Sequence, residues 1–154
     1  MKTKKPNKPL SILLADDDPD DRFFFDKALK TLPIATRFST LENGEELMAR
    51  LRSADTVLPD ILFLDLNMPR KNGSECLSEI HSDETLRRLP VVIYSTSLHE
   101  DIADQLYDKG AYFYIRKTDL AELKKILLHV LTLLVQNKFT RPPRSRFIMS
   151  LTEV

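Results

Sequence analysis

The chain has 154 residues, 42% of them hydrophobic and 30% charged, the size of one globular domain with a single core and a tight fit for two. Its 23 basic residues balance 23 acidic ones, which leaves no global positive field of the kind that nucleic-acid binders carry. No apolar run approaches the roughly 18 residues of a membrane span, and no signal-peptide core follows the N-terminal lysines.

The single cysteine, Cys76, cannot form an intrachain disulfide and lies on a helical pattern beside Leu77 and Ile80. It reads as a small buried hydrophobe in a reducing, cytoplasmic compartment.

Residues 1–9 are polar and are expected to form a flexible arm. Beyond them, short apolar runs alternate with longer amphipathic ones, the pattern of βαβ units around a parallel sheet. Strands are predicted at residues 11–15, 36–40, 60–65, 90–95 and 111–116. All but the second are apolar nearly throughout, as expected where both faces of a sheet are covered. The second alternates polar and apolar residues and reads as an edge. Helices fit residues 19–31, 43–53, 73–82, 98–109 and 119–136, each with an apolar repeat near 3.6 residues. Asp18 before Pro19 makes an N-cap and first-turn proline pair, and Gly110 sits where a C-terminal cap belongs. Phe23, Phe24 and Phe25 point in three directions on a helix, so at most two can reach the sheet.

The last helix carries Leu120, Leu123, Ile126, Leu127, Val130, Leu131 and Leu134 on its inner spacing, with Leu128, Leu133 and Val135 outside it. That stripe is wider than one sheet requires. Two readings stand: a helix covered by the C-terminal tail, or a subunit interface giving a homodimer through the last helix. The domain is expected to span residues 10–136. A C-terminal extension follows at 137–154, with Pro142, Pro143 and three arginines, too short for an output domain.

In an open parallel sheet, ligands bind beyond the carboxyl ends of the strands. The residues predicted there are Asp16 and Asp17 after the first strand, Asp65 and Asn67 after the third, Ser95 and Thr96 after the fourth, and Lys117 and Thr118 after the fifth. Three carboxylates brought together repel and raise one another's pKa unless a cation joins them. Oxygen ligands without cysteine or histidine point to Mg2+ or Mn2+ with waters completing the shell. His81, His99 and His129 lie on separate helical patterns and have no ligand spacing. Asp16, Asp18 and Asp20 alternate as in a calcium loop. That motif needs glycine and glutamate where Asp21 and Lys27 stand, so the reading fails. An acidic run answering a helix dipole is the plainer alternative, but it leaves Asp65 and Lys117 unexplained.

The ordered set Ala15-Asp16-Asp17-Asp18-Pro19, Asp65-Leu66-Asn67-Met68-Pro69 with Gly73 beyond, Ser95-Thr96 and Lys117 resembles a response-regulator receiver domain of the chemotaxis-regulator type, over residues 10–136. The resemblance implies an α/β fold: a doubly wound, flavodoxin-like, five-stranded parallel sheet in the order 2-1-3-4-5, with five helices. It implies that Asp65 is the phosphoacceptor, that Asp16, Asp17, Asp65 and the backbone carbonyl of Asn67 hold the Mg2+ or Mn2+, and that Lys117 contacts the phosphoryl oxygens. Ser95 would be the switch hydroxyl and Tyr114 the aromatic that changes rotamer with it; a plain core or surface tyrosine is the alternative.

The implied function is that of a stand-alone, cytoplasmic, bacterial response regulator. It would take phosphate from a histidine kinase or histidine phosphotransfer protein and switch the face formed by the fourth helix, fifth strand and fifth helix. Such a protein is not an enzyme beyond its own phosphorylation and dephosphorylation, and no nucleic-acid or membrane partner is expected. Thr118 departs from the pattern, because receivers carry proline there, commonly after a cis bond. The Lys117-Thr118 peptide is therefore open between cis and trans. Two competitors are a degenerate receiver serving as a scaffold and an aspartate-nucleophile phosphohydrolase. The latter needs a second acid two residues after the nucleophile, where this chain has Asn67.

Overall fold

The computed structural model describes residues 8–96 and 99–149. Residues 1–7 of the predicted arm, position 98 of the fourth predicted helix, and residues 150–154 of the extension lie outside the described residues. Five strands, β1 (Leu10–Ala15), β2 (Thr36–Leu41), β3 (Ile61–Leu64), β4 (Val91–Ser95) and β5 (Phe113–Arg116), form one parallel sheet in the order β2-β1-β3-β4-β5. The predicted order and fold class hold, and element ends agree with expectation to within two residues.

The five helices are α1 (Pro19–Lys30), α2 (Gly44–Arg52), α3 (Gly73–Ser82), α4 (Glu100–Asp108) and α5 (Leu120–Val135). Alternate residues along β1 divide between two cores. Leu13 and Ala15 face α2, α3 and α4 with Leu47, Leu77 and Leu106, while Ile12 and Leu14 face α1 and α5 with Phe25, Ile126 and Leu127. Burial on both faces explains why β1, β3 and β4 are apolar without alternation. No helix among the described residues is long and apolar enough to cross a membrane.

Local chemistry sets the helix ends. Asp18 caps α1 by accepting from the Asp20 N–H at 2.9 Å, ahead of Pro19. Asn72 and Glu75 form a reciprocal capping box on α3, and Asp119 caps α5 through the Glu122 N–H at 2.8 Å. Gly110, at φ 95°, ends α4 as expected. Its N–H donates to the Tyr107 carbonyl, and the Ala111 N–H reaches back to Leu106, a pairing that needs a left-handed residue at this position.

Of the three phenylalanines on α1, only Phe25 packs inward, stacked on Phe38 and edge-on to Phe63 and Tyr94. Phe23 and Phe24 are exposed.

β2 is one edge of the sheet, as its alternation predicts. β5 is the other edge, although its sequence is apolar, and the C-terminal extension resolves the contradiction. After α5 the chain folds back along α4 and places residues 147–149 beside β5. The Tyr114 N–H donates to the Phe147 carbonyl at 2.9 Å, and the Met149 N–H donates to the Tyr114 carbonyl at 3.0 Å. An edge that would otherwise offer unpaired backbone groups is thereby capped. The extension is further held by Arg144, paired with Asp104 and Glu100 of α4, and by the Tyr107 hydroxyl donating to the Pro142 carbonyl. Phe139 and Met149 join the core beside α5, while Leu128 on its outer face stays exposed.

Candidate functional site

Strands β1 and β3 are neighbours, so the loops leaving their carboxyl ends lie side by side. The Asp65 N–H donates to the Ala15 carbonyl at 3.0 Å, which brings Asp65 alongside Asp16 and Asp17. One carboxylate oxygen from each of the three aspartates lies within 4.8 Å of the other two. Asp16 is wholly buried, Asp65 nearly so, and Asp17 is exposed at the mouth. None of the three histidines joins this cluster.

Backbone contacts hold the acids in place. Asp16 Oδ1 accepts from the Asp18 N–H at 3.0 Å, and Asp65 Oδ1 from the Asn67 N–H at 3.3 Å. The β3–α3 loop turns tightly enough that a Cβ on Gly73 would lie 2.2 Å from the Asp65 carbonyl oxygen, so glycine is required there by close approach rather than by its dihedral freedom. Outside the acids, a cleft of about 640 Å³ is lined by Asp17, Asn67, Met68, Asn72, Ile102 and Gln105.

Lys117 enters from the far side. Its backbone N–H donates to the Ser95 carbonyl at 2.8 Å, continuing the β4–β5 ladder beyond the strands. The Lys117-Thr118 peptide is trans, and where receivers carry proline the Thr118 hydroxyl instead donates to Glu122 at 2.9 Å. The Lys117 ammonium still reaches the acids: Nζ lies 2.9 Å from Asp16 Oδ2, 3.2 Å from Asp65 Oδ2 and 2.7 Å from Asp21 Oδ2. Burial disfavours its charge, yet the bonds to Asp21 and Asp16 and the Asp65 charge prevail and hold it above the ordinary lysine range. Burial likewise pushes Asp16 up to about 6, against the opposing bond from Lys117.

The donor set fits a hard divalent cation. Three carboxylates at hydrogen-bond range of a single ammonium leave excess negative charge, and among the described residues buried Asp16 Oδ2 is met by the Lys117 ammonium at 2.9 Å without a hydrogen bond of good geometry.

Ser95, at the end of β4, is wholly buried, and its Oγ makes no hydrogen bond of good geometry among the described residues. Burial holds the Tyr114 phenol above the ordinary tyrosine range, with the neighbouring Ser95 hydroxyl partly opposing it. Tyr114 is itself buried, with Phe147 edge-on to its ring at 6.4 Å.

Every residue expected at the strand ends is thus brought to one end of the sheet. Sequence reading missed Asp21, placed one helical turn after Asp17 and hidden among acids that suit any helix N-terminus. It also missed Arg22, whose guanidinium donates to the Asp16 carbonyl at 2.8 Å. Neither contact has a sequence signal beyond the helical spacing.

A doubly wound sheet in this order, with an acid cluster and a lysine at its carboxyl end, is the arrangement of a receiver domain. The chain belongs to the response regulator receiver domain family, whose family model matches residues 12–128, and its place is in two-component signalling. It is 34% identical over 126 residues to the response regulator Rcp1 of Synechocystis sp., covering 79% of this chain and 86% of that protein. Among solved structures it resembles the phosphorylated cyanobacterial phytochrome response regulator RcpA, with 35% identity, a TM-score of 0.78, and coverage of 88% of this chain and 100% of that one. The Mn(2+)-bound form of Rcp1 matches at 31% identity with a TM-score of 0.76, again over 88% and 100% of the two chains.

Proposed function

We propose that the chain accepts a phosphoryl group on Asp65 from a histidine kinase or a histidine phosphotransfer protein in the cytoplasm, in a reaction that requires Mg2+ or Mn2+. The observation that carries this reading is the placement of the Lys117 ammonium 3.2 Å from Asp65, within the cluster that Asp65 forms with Asp16 and Asp17. Asp16, Asp17, Asp65 and the Asn67 carbonyl would hold the ion. When bound, it supplies neutralisation of the charge on the phosphoryl oxygens.

Phosphoryl transfer asks the protein mainly for positioning and charge. An Asp65 carboxylate oxygen attacks phosphorus in line, the P–N bond to the donor imidazole breaks, and its electron pair stays on the imidazole nitrogen. Lys117 lies where it can take a phosphoryl oxygen as Asp65 is esterified. The product adds roughly −1.5 to −2 charge and new acceptor oxygens. Ser95, whose buried hydroxyl makes no hydrogen bond of good geometry among the described residues, can then donate to one of them. That movement is the proposed route from the site to Tyr114, and from Tyr114 to the face of α4, β5 and α5.

The test is incubation with acetyl phosphate and Mg2+, followed by intact mass. One added phosphoryl group is expected, absent with EDTA and absent in Asp65→Asn. A scaffold would take up none, and a phosphohydrolase would turn over small phosphate esters; either result rejects the proposal. Asn67 stands where a hydrolase of this type keeps its general acid, and a carboxamide cannot protonate a leaving group.

A further inference from the structure

Lys117 is shared by three carboxylates, and the nearest, Asp21 at 2.7 Å, is the one outside the acid cluster. The other two, Asp16 at 2.9 Å and Asp65 at 3.2 Å, are members of it. An ammonium and a divalent cation on the same oxygens repel one another. For the ion to enter, Lys117 must loosen its hold on Asp16 and Asp65. With only 10% of its side chain exposed, it cannot simply retreat into water, and an unpaired charge at that depth is strongly disfavoured.

Asp21 solves this problem. Its side chain is 25% exposed, at the rim of the site, on α1 one turn beyond Asp17. A first-turn acid answering the helix dipole would explain its type, as it does for Asp20, but not a contact with a residue 96 positions away. Asp20 is exposed, and its backbone N–H bonds Asp18 within the same turn.

We propose that Asp21 is a positioning residue: it receives the Lys117 ammonium when a divalent ion occupies Asp16 and Asp65, so that lysine and metal share one pocket. The inference rests on the metal reading above. Without Asp21 the lysine falls back on the cluster carboxylates and competes with the ion.

The test is a double-mutant cycle on the full chain, with Mg2+ affinity read by calorimetry. Asp21→Asn is expected to raise the Mg2+ dissociation constant about tenfold, the effect of one lost charge-assisted contact. Lys117→Met is expected to lower it by removing the competitor. In the Lys117→Met background, Asp21→Asn should change it by less than about twofold, and Asp20→Asn should do the same in the wild type, as for surface charges screened by salt. Asp21→Ala serves as a second variant, and melting curves in EDTA verify that each variant folds. Equal weakening by Asp21→Asn in both backgrounds would overturn the inference, because Asp21 would then act as bulk charge alone. So would no weakening in the wild type. If the wild type binds no Mg2+, the metal reading itself fails; if it binds and the cycle shows no coupling, only the role of Asp21 falls.

Discussion

Phe147 closes over Tyr114 by two kinds of contact at once: its carbonyl accepts the Tyr114 N–H at 2.9 Å, and its ring stands edge-on to the phenol at 6.4 Å between centroids. A residue 33 positions downstream, in a segment whose described residues form no regular helix or strand beyond one short 3-10 turn at Arg144–Arg146, thereby completes the sheet edge beside the acid site.

Phe147 is wholly buried and also packs against Tyr107. Phe147→Ala should therefore cost about 3–5 kcal/mol, measured by urea unfolding. Hydrogen exchange at the Tyr114 amide should accelerate in the same variant, since its acceptor belongs to the displaced segment. Unchanged exchange would mean that the extension holds β5 without this ring.

Lys117 compensates buried Asp16 and Asp65 together. In the absence of metal, Lys117→Met should destabilise the chain by about 3 kcal/mol at neutral pH, a fall in melting temperature of roughly 6–12 °C. Burial places the Asp16 pKa at about 6 in the folded chain, above its usual 3.8. Stability from Asp16 is thus fully present below about pH 4 and is lost as pH rises through 6. The penalty of Lys117→Met should accordingly shrink at pH 5, where Asp16 carries a proton. Melting curves in EDTA at pH 5 and pH 7 compare the two, and an equal penalty at both would contradict the pairing.

A methyl group at position 73 would meet the Asp65 carbonyl oxygen at 2.2 Å and the Leu66 Cα at 2.9 Å. Backbone atoms cannot rotate away as a side chain end can, so Gly73→Ala must push the β3–α3 loop outward. A loss of about 2–3 kcal/mol is expected, read from the denaturant midpoint, together with less phosphoryl uptake in the acetyl phosphate test of the proposed function, because the displaced loop carries Asp65.

Cys76 is buried and bonds the Gly44 carbonyl through its thiol. Burial pushes its pKa up to about 11 from 9.0, so the thiolate is scarce at pH 8. Alkylation by iodoacetamide should run on the order of a hundredfold slower in the native chain than in urea, from the two-unit shift alone. The native rate should keep climbing past pH 9, where that of the unfolded chain levels off. Mass spectrometry at several pH values separates the two curves.

Much of this architecture is legible in one dimension because its causes are local. Apolar runs without alternation imply strands covered on both faces, Asp18-Pro19 and Gly110 mark helix ends through their own backbone preferences, and the acids and the lysine fall at strand ends whose convergence follows from a parallel sheet. The geometry of the Lys117-Thr118 step was open in sequence and is trans, since no local signal distinguishes the isomers once proline is replaced.

Only the tertiary structure decided the rest. Asp21 looks like any first-turn acid until β5 carries Lys117 back to it, and Phe147 looks like a tail residue until the extension lies along β5. Both contacts join segments far apart in sequence, and their partners are chosen by three-dimensional packing rather than by a neighbour's chemistry. Periodicity and capping report what a residue does within its own turn or strand; which distant charge or ring it meets is set by the path of the whole chain.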